Sequence, residues 1–252
     1  MKKLALITGG TSGIGFSVAE AAAETHDLAL NYAENDKKAE EAVSRLSQKG
    51  CRVFAIKKKL QTNQDALELF EKIYSYFQTT PDVLVNSIGR IYQSLFVVSE
   101  HEKNDEIIQM NLNVAMYLSQ MVLENMMRRK FGRIVHISSI RAHYLTSVGS
   151  ASYSAAKAGL EGFVRAAAKE VAMRGVTVNA IAPGLIETDM TNQYINEKTR
   201  ELIISRIPVK FLGQPHHVAE VAKLLISESA SYITGQVICV DGGISLGGCF
   251  EK

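Results

Sequence analysis

Seven short apolar runs alternate with longer stretches of helical period, which predicts an α/β fold: a single doubly wound (Rossmann) domain, its mostly parallel seven-stranded sheet covered by helices on both faces. Two further observations point the same way. Several runs barely alternate between apolar and polar residues, as strands buried on both faces do, and a glycine-rich turn follows the first run. In order, the runs are "KLALIT" (3–8), "LALNY" (28–32), "RVFAI" (52–56), "DVLVN" (82–86), "RIVHIS" (133–138), "VTVNAIA" (176–182) and "QVICV" (236–240). Helical period spans 13–25, 36–49, 63–78, 103–130, 152–174, 188–205 and 215–227. With four prolines and no repeat or polar linker, nothing marks a domain boundary, so residues 1–252 are read as one domain.

At 46% hydrophobic residues, 252 positions suffice to bury one large core. The formal charge of +2, from 28 basic and 26 acidic residues, is too small to argue for nucleic acid or an anionic membrane as partner, and neither is expected. A small molecule or another protein is expected instead. Cys51, Cys239 and Cys249 show neither disulfide nor zinc spacing, which fits a reducing cytoplasm. After Met1-Lys2-Lys3 the apolar run "LALI" is too short for a leader, and no segment is apolar enough to span a membrane. His216-His217 lack a carboxylate or cysteine at ligand spacing, so no metal is expected.

The first strand-to-helix turn, "TGGTSGIG" at 8–15, carries Gly9, Gly10, Gly13 and Gly15 where the chain must reverse sharply. Glycine lets the backbone approach a pyrophosphate, and a helix N-terminus offers it free N–H groups and the positive end of a dipole. The spacing is Gly-x-x-x-Gly-x-Gly rather than the usual Gly-x-Gly-x-x-Gly. A tight turn with no ligand is the plainer alternative. Further on, "SASYSAAKAG" (150–159) sets Tyr153 and Lys157 one helical turn apart, on one face and within reach of a common ligand. For that spacing alone, a solvated surface pair is the ordinary alternative.

Together, "TGGTSGIG", "NSIG" (86–89), "YSAAK" (153–157) and "PGLIETDM" (183–190) resemble the short-chain dehydrogenase/reductase family, in its order and over nearly the whole chain. Within it, "RGVTVNAIAPGLIETDM" and "SYITGQVICVDGG" most resemble the 3-oxoacyl-[acyl-carrier-protein] reductases. The resemblance implies a cytoplasmic enzyme that reduces a ketone with NADP(H), its acyl group delivered on an acyl carrier protein. Alternatives are a relative acting on a polyketide intermediate or sugar derivative, and a noncatalytic nucleotide-binding sensor.

Hydride addition to a ketone leaves an alkoxide that must be protonated as it forms. Tyr153 is the candidate acid, with the Lys157 ammonium beside it expected to favour the phenolate. The resemblance adds Ser139 to hold the substrate oxygen together with Tyr153, although the connection to Tyr153 is one residue longer than the family's, which leaves Ser138 as an alternative. It also implies Asn111, with Asn113 as neighbour, in a proton relay behind Lys157. Cofactor contacts are expected from Gly9, Thr11, Ser12, Gly13, Ile14 and Gly15, from Asn31, Tyr32, Leu60, Asn86 and Gly89, from Tyr153 and Lys157, and from Pro183, Gly184, Ile186 and Thr188. Asn31-Tyr32 stand where an acidic residue would bind a 2′-hydroxyl, and its absence favours NADP(H); Lys37 or Lys38 could meet the phosphate, a solvated helix face being the plainer reading of both. Lys59 replaces the aspartate the family uses toward adenine.

Segment 188–205 is expected to be a substrate lid, and Arg141, His143 and Tyr144 to line the pocket. Arg128, Arg129, Lys130, Arg133 and Arg174 are a candidate basic rim for the carrier protein, and for Arg128 to Lys130 cations facing a helix C-terminal dipole are an equal alternative. The apolar residues Met110, Met116, Met121, Met126, Met127, Phe163 and Val164 exceed what one core-facing stripe needs, which suggests a homotetramer in the family's manner. Core filling is the alternative.

Overall fold

The computed structural model describes residues 2–192 and 197–246, and these form one seven-stranded sheet ordered β3-β2-β1-β4-β5-β6-β7 with every neighbouring pair parallel. The strands are β1 (Lys3–Thr8), β2 (His26–Tyr32), β3 (Val53–Lys57), β4 (Val83–Asn86), β5 (Gly132–Ile137), β6 (Val176–Pro183) and β7 (Val237–Val240). Helices α1 (Gly13–Ala22), α2 (Asp36–Ser47), α3 (Asn63–Phe77), α4 (His101–Ile108), α5 (Val114–Arg129), α6 (Ala151–Val171), α7 (Asp189–Asn192), α8 (Glu197–Arg206) and α9 (Pro215–Ile226) connect them.

The unalternating strands are explained by two cores. Along β1, Ala5 and Ile7 join Val18 of α1, Leu46 of α2 and Val218 of α9 on one face. Leu4 and Leu6 join Leu69 of α3, Leu118 of α5 and Val164 of α6 on the other. Each burial of a valine, leucine or isoleucine here is worth about 1.5–3 kcal/mol relative to exposure, and both layers draw on the same strand.

The winding reverses between β1 and β4, the pair at the centre of the sheet, so a crevice opens beyond their carboxyl ends. Two long helical stretches depart from the simple period. The expected helix over 103–130 is interrupted by a π-helical segment at Gln109–Asn113, because the buried Asn111 carboxamide bonds the Ile107 carbonyl (2.9 Å) and the Arg90 backbone. The lid region divides into α7 and α8, with 193–196 outside the described residues. Cys249 also lies outside them.

Of the residues offered as a surplus apolar face, Met126 and Val164 are fully buried in the α3/α5/α6 core and are core filling. Arg133 is not part of a rim either. It is buried and donates to the carbonyls of Gly132 and Ser227 (both 2.9 Å). Arg128 to Lys130 and Arg174 immediately precede β5 and β6, and so lie at the opposite edge of the sheet from the crevice of the same chain.

Candidate active site

At the crevice floor the chain leaves β1 through Gly9, whose φ of +63° is the left-handed conformation glycine adopts freely. A Cβ on Gly15 would overlap the Gly9 carbonyl, so the first turn of α1 closes directly onto the loop before it. Ser12 caps α1 with extended backbone and makes no side-chain cap bond, which leaves the helix N-terminus to another acceptor. Thr8 Oγ1 donates to Asn86 Oδ1 (2.7 Å) and accepts from Ser87 N (3.1 Å), locking the ends of β1 and β4 side by side. From β6, Gly184 N donates to Val240 O (2.9 Å), and the chain returns until the Thr188 methyl sits 3.5 Å from where a Gly13 Cβ would be. Ile186 is buried beneath this return. The cradle has the shape and the free N–H groups to hold the pyrophosphate of a dinucleotide.

The end of β2 differs from its sequence expectation. Asn31 is buried, and its carboxamide donates to the backbone of β3 and beyond, at Lys58 O (2.8 Å), so its polar head faces the sheet. Tyr32 instead donates to Asp36 Oδ1 (2.9 Å), and Lys57 donates to Asp36 Oδ2 (2.6 Å), holding that carboxyl below its ordinary range. A carboxylate is therefore present at this strand end after all, supplied from the first turn of α2. Lys38 pairs with Asp189 of α7. Leu60 is packed in the α3 core with Ala66 and Leu69.

Across the crevice, a Cβ on Gly89 would stand 2.8 Å from Asn111 Oδ1 and 3.4 Å from Lys157 Nζ, so this glycine lets the end of β4 approach both. Lys157 is buried and donates to Ile137 O (2.8 Å). Burial pulls its pKa down to about 8, opposed by the negative charge of Glu161. Tyr153, also buried, has the Ser139 hydroxyl as its near polar neighbour. Of the two serines, geometry brings Ser139 to the phenol. Ser138 is committed elsewhere, donating to Glu161 Oε1 (2.7 Å). Ser139 caps the short helical turn Ile140–Ala142, its hydroxyl accepting from Arg141 N (3.2 Å).

The expected effect of the ammonium on the phenol takes a different form here. Burial raises the Tyr153 pKa, and the groups opposing that rise are the Ser139 hydroxyl and Arg141. Lys157 Nζ lies 5.7 Å from the Tyr153 ring centroid and points its proton at a carbonyl. Sequence reasoning passed over Glu161 and Asp36. Their only local signals were spacings of four, from Lys157 to Glu161 and from Tyr32 to Asp36.

A buried tyrosine and lysine with a partly exposed serine beside them, facing a dinucleotide cradle, are suited to passing a proton to an oxygen while hydride arrives at its carbon. A family model described as Enoyl-(Acyl carrier protein) reductase matches residues 9–245. The 3-oxoacyl-[acyl-carrier-protein] reductase FabG of Staphylococcus epidermidis is 37% identical over 245 residues, covering 97% of this chain and 99% of that protein. Its namesake in Aquifex aeolicus is 37% identical over 243 residues, covering 96% and 97%. A crystal structure from Agrobacterium tumefaciens, provisionally named a gluconate dehydrogenase, superposes with a TM-score of 0.90 at 28% identity, covering 96% of this chain and 95% of that one. With its doubly wound sheet, its glycine turn and these relatives, the chain belongs to the short-chain dehydrogenase/reductase family, oxidoreductases acting on C=O and CH–OH groups.

Proposed function

We propose that this enzyme reduces the ketone of a 3-oxoacyl thioester, carried on acyl carrier protein in the cytoplasm, to the 3-hydroxyacyl form in fatty-acid synthesis. The observation that carries the reading is a buried Tyr153 with the Ser139 hydroxyl beside it and Lys157 Nζ 5.7 Å from its ring, at the switch-point crevice. The full-length likeness to the Staphylococcus and Aquifex reductases supports the substrate class.

NADPH would supply the hydride; the Gly9–Gly15 turn with Thr11, Ser12 and Ile14 would hold its pyrophosphate, and Asn86, Gly89, Pro183, Gly184, Ile186 and Thr188 would bound its nicotinamide side. Ser139 donates its O–H to the substrate oxygen and fixes the carbonyl against Tyr153. Tyr153 then gives its phenolic proton to that oxygen as negative charge builds there. Lys157, as ammonium, would favour the phenolate that remains through its charge, and a water held by the Asn111 backbone would pass a replacement proton from solvent toward Lys157. The reverse reaction uses the same groups with Tyr153 as base.

The family's gluconate dehydrogenase-named neighbour motivates a second reading, oxidation of a sugar-acid hydroxyl. Steady-state turnover on 3-oxoacyl thioesters of carrier protein and of coenzyme A, on keto sugar acids and on simple ketones, each with NADPH and NADH, separates the two. Preferred turnover of the 3-oxoacyl thioesters with NADPH is expected. Preference for the sugar acid overturns the substrate, and equal use of NADH overturns the cofactor. Tyr153→Phe should lower kcat by roughly 10²–10⁴-fold with nucleotide affinity unchanged. Intact turnover in that variant would sink the mechanism.

A further inference from the structure

Glu161 stands four residues beyond Lys157 and eight beyond Tyr153 on one stripe of α6, and it is almost wholly buried. A carboxylate in such a place needs a partner for each oxygen. Both partners come from the segment that carries Ser139. Ser138 Oγ donates to Oε1 at 2.7 Å, and His143 Nδ1 lies 2.5 Å from Oε2. Between these two anchors the chain folds on itself, with Arg141 N bonded to Ser139 Oγ (3.2 Å), Ala142 N to Ser139 O (3.0 Å) and Tyr144 N to Ile140 O (2.9 Å).

We propose that Glu161 is a positioning residue of the active site: its carboxylate clasps both ends of segment 138–143 and thereby holds Ser139 against Tyr153. This rests on the assignment of Ser139 and Tyr153 as the reacting pair. The clasp explains why Ser138, the other serine of the pair, is turned away from the crevice. It also gives His143 a task distinct from lining the pocket, since its ring reaches inward to the carboxylate while its side chain is 44% exposed. The Nδ1 nitrogen serves as donor to the carboxylate when it carries the ring proton.

The same carboxylate is the negative charge nearest the active-site lysine along α6, and it opposes the fall in the Lys157 pKa that burial causes. The other titratable and charged groups facing the cluster are Arg141, His143 and Tyr144 on the loop, Cys239 on β7, Asp241 just after it, and His136 on β5, which is held neutral by burial.

Amide hydrogen exchange of the full-length protein, followed by mass spectrometry, tests the clasp. In Glu161→Ala and in His143→Phe, exchange across 139–145 should rise at least about 10-fold with the remaining amides unchanged, and His143→Gln, which keeps a donor, should return it toward the parent rate. Wild-type protection of that segment in His143→Phe overturns the proposal. Should Glu161→Ala not accumulate as folded protein, His143→Phe carries the test.

Glu161→Gln provides the readout that a purely structural role would not move. The carboxamide keeps the shape and loses the charge, so the Lys157 midpoint, followed by NMR of isotope-labelled lysine, should fall below about 8 and the alkaline loss of kcat should shift with it. An unmoved midpoint counts against the proposal. Misplacement of Ser139 should also cost up to about 100-fold in kcat in His143→Phe, with a smaller change in the KM of the nucleotide. If the parent enzyme turns over no 3-oxoacyl thioester, the proposed activity fails, while exchange and lysine titration still decide the clasp.

Discussion

Lys157 is held between two opposing influences, burial that discharges it and Glu161 that keeps it charged, with a resulting pKa of about 8. Since the ammonium form is the one that stabilises a phenolate at Tyr153, ketone reduction should hold steady below that value and fall as pH rises through it. A pH profile of kcat at saturating nucleotide checks this, and a flat profile to pH 10 would remove the lysine from the mechanism. The spacing of Tyr153 and Lys157 was readable directly, because one turn of helix is a local property. The choice of Ser139 over Ser138 was not. It depends on Glu161, 23 residues away from Ser138, which draws one hydroxyl inward and leaves the other at the phenol.

Among elements, α3 shows how much a helix boundary owes to local chemistry. Thr62 and Asp65 form a reciprocal capping box, the Thr62 hydroxyl accepting from Asp65 N (3.2 Å) and Asp65 Oδ2 accepting from Thr62 N (2.9 Å). Thr62→Ala should cost about 1 kcal/mol, read as a lower midpoint in urea at unchanged slope. Burial pushes the Asp65 carboxyl up, but Lys58 and the bonds from Gln61 and Thr62 outweigh it and bring the pKa to about 2. That contribution is fully present above the ordinary value of 3.8 and is lost as pH falls through about 2. Helix α3 was therefore legible to within a residue. The long helix expected over 103–130 was not legible as α4, a π-helical segment and α5, because what breaks it is the buried Asn111 bonding the Arg90 backbone, a contact across 21 residues.

The whole molecule is built from one sheet shared by two cores, so damage to a central strand should be felt in both layers. Leu84 of β4 is fully buried in the α3/α5/α6 core, and Leu84→Ala should destabilise the enzyme by roughly 2–5 kcal/mol, measured by chemical unfolding. A loss under 1 kcal/mol would mean the layers relax independently. At this scale the basic residues Arg128 to Lys130 and Arg174 take their place at the edge of the sheet opposite the crevice, and Arg133 disappears into the interior as a bridge among Gly132, Gly175 and Ser227. Charge alone had grouped them together. Read by itself, the sequence determined the alternation of strands and helices, the parallel sheet buried on both faces, the glycine turn and the one-turn spacing of Tyr153 and Lys157, because each is a matter of period, conformational freedom or adjacency along the chain. Only the tertiary structure decided which serine meets the phenol, that Asp36 comes to the end of β2, that Asn31 turns into the sheet and that Glu161 grips the loop above it. Those outcomes are set by which segments the winding of the sheet brings together, and by the need of each buried polar atom for a partner that local sequence does not name.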